Sequence, residues 1–433
     1  MAERTEVAKA DSKDVVDDGY EVFGVSILQT VFNIVKNLVG EGLYTLPHAL
    51  TLGTGLASAF FIFALVALVM TYSFSLVGRI CVACPGESTN ESICVWVKGK
   101  CFAKFVVAVI TFKGLLSCVV LPMVLKDTVS TLFLAVGVDI GRTYALIGMT
   151  FFVLIPLCSL RDLAFLSNFS LVGVLAELYA VIFVVLRYCD SSYQEGGKFF
   201  ESSKRRFRPK LEVYEHLWDL GPGSVVLVSS IAFCYMAHYN APKYCKVLAQ
   251  PTSSRWNLVT VLSYGGATFM YTLVMLTGYL TFGEHSQSFI LDNYAQEDKL
   301  ALGAHFAITI GVLLCYPLIF TALRDGVFQL LQLEKSSLAF HGVTFAMIIP
   351  TIGIALLLDD IGIMNALAGA MFGTFITLVF PGLFVVFGGK KTVDRQSETF
   401  IAYVLVILGL VMSIIGTSKV LVTAFSQQER EGH

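Results

Sequence analysis

QTVFNIVKNLVGEGLYTLPHAL, residues Gln29 to Leu50, is long enough to cross a bilayer, yet its middle is not that of a lipid-facing helix. Gln29, Asn33, Asn37 and Glu41 recur at i+4, and Lys36 joins Asn33 at i+3, so five polar groups share one helical face. Gly40-Glu41-Gly42 interrupts the helix near its midpoint, and Pro47 closes it. Glycines weaken a helix and leave backbone amides and carbonyls available. In hydrocarbon such groups are costly unless they line a protein-enclosed cavity. A broken membrane helix with a polar stripe therefore reads as one wall of a solute site. The competing reading is a glycine kink packed on a neighbouring helix. It gives no reason for Lys36 and Glu41 at membrane depth.

The composition fits that reading. Hydrophobic residues make up 56% of the 433, and the mean hydropathy is +0.74. Only 14% are charged, against roughly 25% in a soluble domain. The fold class is an all-α polytopic membrane protein, with the lipid bilayer as its surroundings. A net charge of −2 points to no nucleic acid partner. The first apolar segment is too long and too polar for a cleavable signal, so the first membrane helix is expected to serve as targeting signal. The ten cysteines are scattered. Cys81, Cys84, Cys94 and Cys101 are too loosely spaced for a zinc site, and no metal or other cofactor is expected.

Residues 1–22 carry seven acidic and three basic groups and read as a disordered cytoplasmic tail. Eleven spans follow, at about 26–50, 55–80, 103–125, 144–160, 166–187, 224–248, 257–280, 300–323, 341–358, 361–387 and 399–423, with a short tail over 426–433. With the N-terminus cytoplasmic, the inner connections hold most of the basic residues, among them Arg79, Lys98, Lys100, Lys104, Arg161, Lys243, Lys246, Arg324, Lys390 and Lys391. The short outer ones hold Lys126, Arg142 and Lys299. The 188–223 loop runs against this rule, with Lys198, Lys204, Arg205, Arg206, Arg208 and Lys210. The same orientation puts the sequons at Asn90 and Asn168 on or near the cytoplasmic side, where they stay bare.

The break repeats. Span 6 reads SSIAFCYMAHYNAPKYCKVL, with His238, Asn240, Pro242 and Lys243 inside or ending an apolar run. Interrupted helices at matching places in two five-helix halves, about 25–188 and 223–387, point to an inverted repeat with the site between them. Other ionisable groups also lie at depth: Lys113 in span 3, Glu177 in span 5 on the face of Ser170 and Gly173, His238 in span 6, and His305 in the outer part of span 8. Lys113 is either a counter-ion for Glu41 or Glu177 or a substrate contact. Glu177 is either a packing acid or a coupling group. His238 is expected to brace its break, His305 to be solvated near a helix end, and Arg324 to anchor span 8 at the inner interface.

The run NLVGEGLYTLPHA, Asn37 to Ala49, resembles the first-helix signature of the amino acid/auxin permease family. Four further pieces resemble it in order: FCYMAH (Phe233 to His238) followed by Pro242, GYLTFG (Gly278 to Gly283), Tyr316-Pro317-Leu318 running on to Arg324, and AGAMFG (Ala368 to Gly373) leading to Pro381-Gly382. Together they cover residues 23 to about 425. The resemblance implies an eleven-helix, LeuT-like transporter of two inverted five-helix repeats plus helix 11 (about 399–423), with an amino acid site between the breaks of spans 1 and 6. It implies alternating access, commonly coupled to protons and in some members to sodium. One departure stands out: Glu41 lies between the glycines where the family more often has Ser or Thr.

On this reading the amides of Val39, Gly40, Glu41, Gly42 and Leu43 face the substrate carboxylate, at the partly positive end of a half-helix, and Asn37 is a further substrate-binding residue. Carbonyls around Phe233, Cys234 and Tyr235, beside His238, take the amino group. Glu177, Lys113 and Glu41 are the candidates for coupling, since a buried carboxylate can load and release a proton in the physiological range. Glu41 itself has three readings: selection of cationic substrates, neutralisation by Lys36 or Lys113, or the protonation site. The expected function is a secondary amino acid transporter, proton-coupled, in a plasma, vacuolar or vesicular membrane. Sodium coupling and a non-transporting nutrient sensor on the same fold are the alternatives. No metal-spaced set and no nucleophile with a base supports an enzyme.

Overall fold

The computed structural model describes residues 24–84, 86, 89–161, 170–202, 217–334, 336–392 and 396–431. The stretch read as an N-terminal tail, and Asn168, lie outside them. The described residues are nearly all helical, with isolated β-bridges and no longer strand. Helix is what hydrocarbon demands, because every backbone group then finds its partner within its own segment.

Among the described residues, ten helical segments are long and apolar enough to cross a membrane. Eight carry one label each: α3 (Leu56–Ala83), α5 (Lys100–Ala135), α6 (Gly141–Ser159), α7 (Leu171–Cys189), α10 (Ser253–Phe282), α11 (Lys299–Leu331), α12 (Ser337–Leu357) and α13 (Ile361–Gly388). The segment Ser224–Val247 is broken into α8 (Ser224–Cys234) and α9 (Ala241–Val247). The last, α14, runs Gln396–Glu431 and carries helix through most of the stretch read as a tail. A short α4 (Asn90–Val97) precedes α5. Ahead of α3 stand α1 (Ile27–Leu38) and α2 (Leu46–Thr51), joined by a tight turn over Glu41–Thr45. Each half of this first segment is too short to span alone, which is why it stands outside the ten.

The two broken segments run antiparallel and are tied at both ends. Val25 N donates to Val247 O at 2.6 Å and Ala249 N to Val25 O at 3.0 Å, joining the start of α1 to the end of α9. Gly55 N donates to Asp219 O at 2.9 Å and Gly221 N to Gly53 O at 3.0 Å, joining the end of α2 to the approach of α8. Around this pair, α11 packs chiefly on α5 and α7, and α10 lies along α1. The π-helical turn Gly369–Gly373 of α13 presses on α8. A Cβ on Gly369 would stand 1.9 Å from Ser229 O, so only glycine allows the two backbones to meet there.

Three sequence expectations are corrected. Helix α5 runs ten residues past the expected end of span 3, so Lys126 is a helical residue, 2% exposed, paired with Asp359 at 2.7 Å and donating to Leu358 O. His305 is buried at 2% exposure rather than solvated, because the 290–298 turn folds over the start of α11. Arg324 is 3% exposed rather than an interface anchor. It donates to Cys158 O (2.7 Å) and Thr344 Oγ1 (3.0 Å) and stacks on Phe340, which pins α6, α11 and α12 together.

The candidate solute site

The sequence places the first break at the glycines, and the chain unwinds there. Val39 and Gly40 leave the helix, Gly40 in extended backbone, and a 3-10 turn begins at Glu41. Leu43 N donates to Gly40 O at 3.0 Å, while the amides of Glu41 and Gly42 take no backbone partner among the described residues. In the second broken segment the helix stops at Cys234, Tyr235 to Ala237 are unwound, and His238–Asn240 forms a 3-10 turn. Pro242 falls in the first turn of α9, where its missing N–H costs nothing.

The breaks touch. A Cβ on Gly42 would lie 2.9 Å from Phe233 Cδ1 and 3.0 Å from Cys234 Sγ. Asn240 Nδ2 donates to Asn37 Oδ1 at 3.0 Å. One hydroxyl serves the last carbonyls of both leading half-helices: Tyr271 Oη lies 2.6 Å from Leu38 O and 2.9 Å from Cys234 O. Two helical turns back, Tyr264 Oη donates to Tyr235 O at 3.2 Å, and between them Thr268 Oγ1 lies 2.6 Å from Tyr235 Oη. Sequence reasoning missed these three residues of α10, although their i, i+4, i+7 spacing marks a polar stripe in an apolar span.

The ions at depth find tyrosines rather than each other. Lys113, 8% exposed on α5, donates to Tyr239 Oη at 3.2 Å and stands 4.5 Å from the centre of that ring. Glu177 on α7 accepts from Tyr44 Oη at 2.9 Å. Its Oε1 would lie 3.5 Å from a Cβ at Gly311 of α11. Glu41 is within Coulombic reach of Lys113 and Glu177. Cys315, one turn beyond Gly311 on the same face, is within Coulombic reach of Lys36, Glu41, Lys113 and Glu177, yet is solvent-exposed. A mid-helix residue that is exposed while ionisable groups of α1, α5, α7 and the 41–45 turn surround it faces an internal chamber.

His238 is 3% exposed and edge-on to Phe74 with centroids 5.3 Å apart. The ring packs between the second break and α3. A pocket lined by Val77, Asn90, Ile110, His238, Tyr239 and Phe380 continues from the second break, with Tyr239 between it and Lys113. Asn90 spends its amide nitrogen on Tyr239 O at 2.8 Å.

The family model for transmembrane amino acid transporter proteins matches residues 24–422. The chain belongs to that family. Its members include relatives at low identity along nearly their whole length. The amino acid transporter AVT6C of Arabidopsis thaliana is 26% identical, covering 92% of this chain and 94% of its own. The vacuolar amino acid transporter 5 of Schizosaccharomyces pombe is 26% identical over 86% of each. Solute carrier family 38 member 8 of Mus musculus is 24% identical over 83% and 84%. A solved manganese transporter of Eremococcus coleocola shares the fold, with a TM-score of 0.53 over 92% of this chain and 87% of that one at 12% identity. The chain is thus a multi-pass integral membrane protein of an amino acid transporter family.

Proposed function

We propose that this protein is a secondary transporter that carries amino acids across a membrane by alternating access. The reading rests above all on one observation: two antiparallel broken segments meet at Gly42 and Phe233, beside a chamber that exposes Cys315 at mid-helix. The names of the Arabidopsis and fission-yeast relatives favour amino acids as cargo, and the fission-yeast name favours a vacuolar membrane as location.

The substrate carboxylate meets the Gly42 amide, which takes no backbone partner among the described residues, reinforced by the Asn37 Nδ2, which is buried without a partner among them. The α-ammonium meets the carbonyls of Leu38 and Cys234, which share one Tyr271 proton and so retain accepting capacity. Spans 1 to 10 form two inverted repeats of five, with the antiparallel ties between α1/α2 and α8/α9 as support, and α14 is the eleventh span. The N-terminus faces the cytoplasm. Coupling runs through Glu177, which joins α7 to the moving half of span 1 by way of Tyr44. Proton coupling is favoured over sodium because Glu177 offers a protonatable oxygen, held by a hydroxyl, at that junction.

Purified protein in proteoliposomes tests the reading. An inward proton gradient should drive accumulation of a labelled amino acid, and replacing sodium by choline should leave it intact. Binding without turnover would make the protein a sensor. Loss of uptake in choline would make sodium the coupling ion.

A further inference from the structure

Glu41 stands apart from the other ions of the site. Lys113 holds the hydroxyl and ring face of Tyr239, and Glu177 holds the hydroxyl of Tyr44. Among the described residues, no cationic side chain comes within ion-pair distance of the Glu41 carboxylate, whose own backbone N–H faces it. Lys113 is near enough to be felt but is committed to Tyr239, so it does not close a pair with Glu41. A carboxylate with accepting capacity beyond its own N–H is left at the wall of the chamber. Around it lie Phe233 and Cys234 against Gly42, and the exposed Cys315 thiol. The Phe233 ring and the two thiols beside the Glu41 carboxylate suit a flexible aliphatic stem carrying a cationic tip.

We propose that Glu41 receives the charged side chain of a cationic amino acid, so that the preferred cargo carries a second positive group beyond its α-ammonium. This rests on the transport reading above and names the substrate class of the same site. Phe233 and Cys315 flank the stem, and Glu41 pairs with the head. Loss of that head, with the stem ending in a methyl group, leaves the carboxylate unanswered in a low-dielectric chamber, which opposes binding.

Lysine and norleucine, alike in stem and different in the terminal cation, are the probes. In wild-type proteoliposomes unlabelled lysine should compete with labelled lysine roughly tenfold or more better than norleucine does. Glu41→Gln should erase that difference, and Glu41→Asp should keep most of it. Equal competition by norleucine in the wild type overturns the proposal, as does an unchanged ratio in Glu41→Gln. Ligand-induced thermal shifts of the purified full chain give the same comparison without transport. A lysine-selective shift with no uptake of any amino acid leaves Glu41's role standing and overturns the transport reading instead. Equal shifts with lysine and norleucine overturn Glu41's role even where uptake is robust.

Discussion

Asn240 donates to Asn37 across 203 residues of sequence, at 3.0 Å, and so joins the end of α1 to the start of α9. The bond is half-buried, and the other Asn37 amide atom, Nδ2, has no partner among the described residues. Asn240→Ala should cost about 1–3 kcal/mol, because an acceptor is left unsatisfied near the membrane centre. Uptake should fall more than that loss of stability accounts for. Ser75→Ala is the control: it removes the 2.7 Å bond from Ser75 to Asn257 on the exposed faces of α3 and α10. Thermal melts and uptake of both variants check this. Equal uptake in the two would reduce the asparagine pair to a structural tie.

Glu177 and Tyr44 form the one side-chain link between α7 and the turn of span 1, at 2.9 Å, in the described residues. Glu177→Gln keeps a hydrogen-bond acceptor and removes the titrating proton. It should abolish concentrative, proton-driven uptake while exchange of internal for external substrate persists. Tyr44→Phe should slow both while leaving accumulation possible. Full accumulation by Glu177→Gln would take Glu177 out of coupling.

Gly40 and Gly42 look equivalent in the sequence, and the structure separates them. Gly40 has φ −155°, which any residue adopts, and a Cβ there meets nothing within 4 Å. A Cβ on Gly42 presses on Phe233 and Cys234. Gly40→Ala should therefore be tolerated, whereas Gly42→Ala should lower uptake at least tenfold or destabilise by about 1–3 kcal/mol through overpacking. Uptake and melts of the two variants side by side decide it.

That contrast marks how far the sequence is legible. Hydropathy and span length locate the helices, because lipid imposes one rule along each segment. The glycines and Pro242 locate both breaks, because they act on their own backbone. The partners of the buried ions are a different matter. Tyr239 reaches Lys113 from 126 residues away, and Tyr44 reaches Glu177 from 133 residues away. Periodicity within one helix carries no record of such pairs, so neither tyrosine is foreseen from the spans that hold Lys113 and Glu177. Exposure fails similarly for His305 and Arg324: position near a span end suggests water, while the turns and neighbouring helices that cover them come from elsewhere in the chain.

A pH effect is expected where α7 meets the start of α11, outside the chamber. Arg187 pairs with Asp190 at 2.7 Å and with buried Asp298 at 2.5 Å. Partial burial pushes the Asp190 carboxyl up, but hydrogen bonds from Ser192 and the Arg187 charge outweigh it and hold it below the ordinary carboxylate range. A depressed carboxyl stabilises the fold above its unfolded value, near 3.9, and loses that contribution as pH falls through the folded value. Exchange protection of backbone amides over 190–202 should therefore be flat above about pH 4 and fall below it. Asp190→Asn should flatten the profile. Protection that declines between pH 7 and 5 would assign the transition to another group.

Tyr271 offers the sharpest test of where the α-ammonium sits. Its single hydroxyl proton faces two carbonyls, Leu38 O and Cys234 O, and satisfies one at a time or both weakly. Tyr271→Phe removes that proton and leaves both carbonyls, at the ends of the two leading half-helices, without a side-chain donor. The empty protein should lose about 1–3 kcal/mol of stability, since the site is fully buried. An ammonium that binds at those carbonyls supplies the missing donors. Substrate should then raise the melting temperature of Tyr271→Phe by more than it raises that of the wild type, at equal saturation. The measurement is a pair of melts with and without a transported amino acid, with saturation set from each protein's own binding curve. A smaller shift in the variant means that the hydroxyl itself is a substrate contact. An equal shift means that the ammonium lies elsewhere, and the assignment of Leu38 and Cys234 to it fails.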